Sequence, residues 1–229
     1  MEKILERWLA QGKKNFVFLG EAGSGKSEIA MNIAIGLKQA TDRPVHFFDL
    51  DQTKPLFRSR DAKTHLEEAG VQFHYEEQFF DAPTSVGGVR EQLADENSIV
   101  VMDVGGNHQG ARLIGGYAPF LNQHGTEAFF VINPYRPWSK DVESIDGTLS
   151  SILKVSHIQQ VSIISNPNLG TSTTIEEIIT GNQKVEEMIG EYIHIGYISA
   201  MENLCEQLTV PVPILPIKLY LTSPWNGNE

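Results

Sequence analysis

The stretch from Gly20 to Ser27, GEAGSGKS, constrains the fold of this chain more than any other. It follows the apolar run Phe16-Val17-Phe18-Leu19 and opens the helical pattern Glu28-Ile29-Ala30-Met31. Strand, glycine-rich turn and helix in that order form the context in which such a stretch cradles phosphate. Glycines at 20, 23 and 25 let the backbone turn its N–H groups inward, where side chains would block them. The helix opening near Lys26 adds the positive end of its dipole to the same anion site. Lys26 is expected at the β and γ phosphates and the Ser27 hydroxyl on Mg²⁺. The expected nucleotide-binding set is Gly20, Gly23, Ser24, Gly25, Lys26, Ser27 and Glu28.

From Phe16 onward, short apolar runs alternate with helix-length segments. The runs are 16–19, 45–48, 71–75, 98–102, 128–132, 161–164 and 192–198; the segments are 27–40, about 61–69, 86–95, 109–123, 140–156, 173–189 and 200–208. Such alternation predicts an α/β fold: three layers, with a doubly wound, mostly parallel sheet of about seven or eight strands. No repeat or Pro/Ser-rich linker divides the chain, so one domain over 1–229 is expected. An amphipathic helix over 1–14 would pack Ile4, Leu5, Trp8 and Leu9 on the fold, and a proline-bearing extension over 209–229 would add an edge strand around 217–221.

Ligands of such sheets lie at the carboxyl ends of the strands. After the second run comes FFDLDQT, where Asp49 and Asp51 flank Leu50 and leave the strand end on the same side. Two acids there suit a metal-bound water or the orientation of a nucleophile, although aspartates are also common caps and loop residues. Lys54, Arg58, Arg60 and Lys63 follow, either a source of a charge-stabilising cation or a solvated loop. After the fourth run, in IVVMDVGGNHQG, Asp103 ends the strand where an acid would hold Mg²⁺ beside Ser27. Gly106 then allows close approach to a γ-phosphate, with His108 and Arg112 as further candidates. Arg136 and Trp138 lie in a loop fixed by Pro134 and Pro137, where packing of Trp138 is the expectation. Asn166 ends the sixth run, placed either to read a base edge or to form an Asn-Pro turn ahead of a capping box from Thr173 and Glu176. A loop near Val210–Pro213 would wall the base.

Charge narrows the partners. The net charge of −11 argues against DNA and against anionic membrane surfaces, both of which reward a basic patch. One cysteine, Cys205, leaves no intramolecular disulfide and no CxxC metal site. No stretch has the ~20 apolar residues of a spanning helix, and the N-terminal helix is too charged for a signal sequence. A cytoplasmic protein with no membrane anchor is expected.

With GEAGSGKS, FFDLDQT and VVMDVGG in this order, the chain resembles the ParA/MinD group of P-loop NTPases, within the class named for signal recognition particle, MinD and dethiobiotin synthetase proteins. The resemblance covers roughly residues 15–200 by motif order. It implies that Asp51 positions the attacking water, that Asp49 supports the metal site, that Asp103 is the Walker B acid and that Asn166 reads the base. It also implies an adenine-nucleotide switch that dimerises face to face across ATP. Where that group carries a second lysine after the first glycine, this chain has Glu21, which would repel a partner's phosphates. Either Arg58, Arg60, Arg112 or Arg136 replaces that lysine, or the protein works as a monomer or with another partner.

The expectation is therefore a Mg²⁺-dependent ATP-binding protein and slow ATPase, a switch acting on a protein client, with catalytic Lys26, Asp51 and Asp49 and metal ligands Ser27, Asp49 and Asp103. The alternatives are a small-molecule kinase or ligase using ATP, a GTPase of the same fold, and a nucleotide-binding scaffold. The sequence SNPN lacks the aspartate of a guanine-reading NKxD element, which favours adenine.

Overall fold

A computed structural model of the chain describes residues 1–51, 56–75, 87–106 and 108–221, those at 56–61 by backbone alone. The side chains of Arg58 and Arg60, and all of Lys54, lie outside the described residues. Residues 52–55 lie outside them altogether. No helix among the described residues is long and apolar enough to cross a membrane.

The strands are β1 (Asn15–Leu19), β2 (Val45–Leu50), β3 (Gln72–His74), β4 (Ile99–Val104), β5 (Thr126–Ile132), β6 (Ser162–Ser165), β7 (Ile195–Met201) and β8 (Ile214–Ile217). They form one sheet in the order β3-β2-β4-β1-β5-β6-β7-β8, and every pairing is parallel. β1 lies between β4 and β5, where the chain winds outward in both directions. That is a topological switch point, so the crevice at the end of β1 is where a ligand belongs.

The helices are α1 (Glu2–Ala10), α2 (Lys26–Ala40), α3 (Leu56–Glu68), α4 (Val89–Ala94), α5 (His108–Arg112), α6 (Ala118–Leu121), α7 (Val142–Ser156), α8 (Ile175–Ile189) and α9 (Glu202–Cys205). The period of two along each strand sorts them into two layers. Phe16, Phe18, Phe47 and Val101 face α1, α2 and α3. Val17, Leu19, Phe48 and Met102 face α4 to α8. The three-layer expectation holds.

The N-terminal helix packs as its pattern required. Leu5 and Trp8 are buried, with Ile4 and Leu9 partly so. Trp8 donates its indole N–H to the Tyr197 hydroxyl at 2.9 Å and packs on Phe16 and Phe129. Burying an aromatic of this kind is worth about 4–6 kcal/mol of transfer free energy.

Four expectations need correction. The edge strand runs over Ile214–Ile217, not 217–221. Segment 109–123 is two short helices about a 3-10 turn at Gly115–Tyr117, because paired glycines weaken a helix and Pro119 favours a fresh start. The capping box uses Thr174 and Glu177, one residue later than expected. Thr173 instead accepts from Leu169 N and donates to Gly170 O. Trp138 is 49 % exposed rather than packed away.

Candidate functional site

The turn between β1 and α2 has the geometry its glycines permit. Gly25 is the N-cap of α2 in the left-handed region, at φ 93°, which a β-carbon would disfavour. A cavity of about 350 Å³ opens over this turn. Its phosphate-side lining comes from Gly23, Gly25, Lys26, Ser27 and Glu28, with Asp51 and Arg136 beside them. Asn133, Asn166, Asn168 and the C-terminal residues Ile217, Leu219 and Leu221 complete it.

At the floor of the cavity the Lys26 ammonium meets the Asp51 carboxylate at 3.2 Å, with both side chains almost wholly buried. Asp49 accepts the Asp51 backbone N–H at 3.1 Å, which fixes the turn carrying Asp51. Asp49 and Asp103 are register partners on adjacent strands, and Asp103 is also paired with Phe18 of β1. Side chains in one such row share a face of the sheet. That face is the one bearing α2, so both buried acids project to the side where Lys26 and Ser27 begin the helix. A hydroxyl and carboxylates form an all-oxygen donor set, the kind that suits Mg²⁺. Ser27, Asp49 and Asp103 therefore fit the metal expected from sequence.

The loop after β4 closes against the phosphate turn. A β-carbon on Gly106 would lie 2.6 Å from Ala22 N and 2.9 Å from its Cα. Only glycine allows that approach, so the two loops are in backbone contact. From the other side Arg136 donates from Nε to Gly23 O at 3.1 Å. Arg136 is thus the sequence-predicted arginine that the structure brings to the turn. His108 and Arg112 are exposed on α5 and do not line the cavity. The Glu21 carboxylate accepts the next backbone N–H, from Ala22, at 3.3 Å.

Two expected nucleotide contacts look elsewhere. The buried Asn166 amide donates to Ser24 O at 2.7 Å, while its oxygen accepts from the Ser199 hydroxyl at 2.7 Å. It ties the phosphate turn to β6 and β7 from within the cavity lining. The Glu28 carboxylate accepts the backbone N–H groups of Tyr220 and Leu221, at 3.0 and 2.7 Å. Neither partner is close in sequence, and no local signal announced them. The Val210–Pro213 loop is absent from the cavity lining, and the segment after β8 takes its place.

Away from the site, His46 and His74 approach at 3.0 Å between their ring nitrogens at the β2–β3 edge. Burial lowers both pKa values, and for His46 the neighbouring His74 adds to the effect while Asp95 opposes it. Burial raises the pKa of the Cys205 thiol, in keeping with an inert cysteine.

No protein-family model matches the chain, and no curated protein matches it. Solved structures do. The 54 kDa signal recognition particle protein from Aeropyrum pernix K1, in complex with GDP, matches 82 % of this chain and 41 % of its own length at 22 % identity and TM-score 0.53. The signal recognition particle receptor FtsY from Elizabethkingia anophelis matches 86 % of this chain and 63 % of its own, at 14 % identity and TM-score 0.52. The cell division protein FtsY from Thermotoga maritima matches 87 % and 69 %, at 17 % identity and TM-score 0.50. The chain thus spans less than two thirds of the first two. At these identities the likeness shows a shared fold.

Proposed function

We propose that this chain is a Mg²⁺-dependent nucleoside triphosphatase, with ATP as its favoured nucleotide, that switches a protein partner between two states. The observation that carries the proposal is the buried Lys26–Asp51 pair in the cavity over the phosphate turn. A triphosphate entering that cavity competes with Asp51 for Lys26. Once Lys26 turns to the phosphates, the Asp51 carboxylate exchanges that partner at the strand end where an attacking water needs orienting. Arg136, already bonded to Gly23, supplies a second cation in cis and offsets the loss of the usual lysine at Glu21. Mg²⁺ held by Ser27, Asp49 and Asp103 would neutralise charge on the phosphate oxygens.

The contact of Gly106 with Ala22 supports the switch. A change at the phosphate turn is felt directly by the loop after β4, so segments 51–61 and 104–112 are the surfaces a client would read. The ParA/MinD branch rests on FFDLDQ and the order of motifs; the second reading, a GTPase of the same fold, draws on the signal recognition particle neighbours. Hydrolysis assays with ATP and GTP discriminate the two. Lys26→Ala is expected to abolish hydrolysis of either nucleotide. Wild-type turnover in Lys26→Ala would refute the proposal, and turnover that requires a metabolite acceptor would point to a kinase instead.

A further inference from the structure

Beyond β8 the chain runs as a strap across the first two turns of α2, and helix side chains hold its backbone. Positions 28 and 32 are one turn apart and share a helix face. The Asn32 oxygen accepts the Lys218 N–H at 2.8 Å, and its amide donates to Lys218 O at 2.8 Å and to Glu28 O at 2.8 Å. The Glu28 carboxylate takes the N–H groups of Tyr220 and Leu221. Hydrogen bonds to a carboxylate are about twice as strong as neutral ones, so this is a firm attachment.

The strap alternates as an extended chain does. Ile217, Leu219 and Leu221 line the cavity. Tyr220 turns the other way, onto His65 of α3 with ring centroids 5.2 Å apart, and the Lys218 ammonium lies 3.6 Å from Glu202. Leu219 is 39 % exposed, an apolar side chain held at the cavity wall with open space before it. The cavity therefore combines the cations Lys26 and Arg136 with an apolar wall from the strap. That combination fits a ligand with an anionic chain at one end and a flat, weakly polar ring at the other.

We infer that the strap is the base wall of the site: Ile217, Leu219 and Leu221 bear on the ring of a bound nucleoside triphosphate, while Glu28 and Asn32 act as positioning residues that fix the wall to the phosphate-binding helix. The inference rests on the nucleotide reading proposed above. It also reassigns Glu28, whose carboxylate serves the base side of the site through the strap.

The test compares two probes by calorimetry in the presence of Mg²⁺, ATP and inorganic tripolyphosphate, on the full chain. Tripolyphosphate reports the phosphate turn alone, and ATP reports the turn plus the wall. Leu219→Ser, at a partly exposed position that folding tolerates, is expected to weaken ATP at least fivefold and leave tripolyphosphate within twofold. Asn32→Ala, which releases the strap at Lys218, is expected to weaken ATP tenfold or more with the same selectivity. Unchanged ATP affinity in both variants would overturn the inference while leaving the nucleotide site intact. So would an equal loss for both probes, since the strap would then be bracing the phosphate turn. A wild-type protein that binds neither probe would overturn the nucleotide reading and the wall with it.

Discussion

Replacing Asn166 with alanine separates two roles that the residue could play. In the structure its side chain is 1 % exposed and bridges Ser24 O and the Ser199 hydroxyl, each at 2.7 Å. Alanine strands both partners, and Ser24 and Ser199 are themselves buried. A stranded buried polar group costs about 1–3 kcal/mol, so with two of them the nucleotide-free protein should lose about 2–6 kcal/mol of stability. Urea unfolding followed by circular dichroism measures that loss. The same truncation frees the phosphate turn at Ser24, which disorders the N–H groups that face the ligand. ATP, GTP and tripolyphosphate should then weaken together, each by about tenfold or more, the equivalent of 1.4 kcal/mol. Their ratio should not move. An ATP:GTP preference that shifts tenfold with tripolyphosphate unaffected would refute this reasoning and restore Asn166 as a reader of the base.

Two further outcomes follow from the geometry. Gly106→Ala drives a β-carbon into the Ala22 backbone, which cannot rotate aside; a loss of about 1–3 kcal/mol is expected in urea unfolding, together with slower hydrolysis. The His46–His74 pair, part-buried at the sheet edge, makes stability fall with acid. Both native pKa values lie below 6.5, so well above pH 6.5 neither state binds protons there and the contribution is intact. As pH drops from 6.5 toward the lowered native values, the unfolded chain takes up protons that the folded chain refuses, and stability declines. Thermal melts from pH 7.5 to 5 should show this fall, and it should shrink in His74→Gln.

Much of the fold is written in local pattern. GEAGSGKS between a strand and a helix, and the run-and-helix alternation after it, require no knowledge of distant contacts. The acid positions are similarly local, since Asp49 and Asp103 each end an apolar run, and parallel register then brings them side by side. What stayed hidden depends on partners far along the chain. Asn166 was placed at the right strand end, yet its role is set by Ser24, 142 residues away, and by Ser199. Glu28 reads as an ordinary first-turn acid until Tyr220, 192 residues later, folds onto it. The loop expected to wall the base is absent from the cavity lining because β8 begins earlier than its apolar run suggests, which moves the following residues across α2. Trp138 shows the opposite limit: its loop was legible from two prolines, but nothing in the sequence said whether the ring would be covered.

The measurement that bears most directly on the proposed site is ATP binding and single-turnover hydrolysis by Asp51→Ala. Removing the carboxylate frees Lys26 from its partner at 3.2 Å and also removes the group assigned to orient water. The expected result is ATP bound at least as tightly as by the wild type, with hydrolysis slowed about a hundredfold or more, in the range of a lost general base. Hydrolysis at the wild-type rate would contradict the assignment of Asp51, and with it the exchange of Lys26 from carboxylate to phosphate on which the mechanism turns.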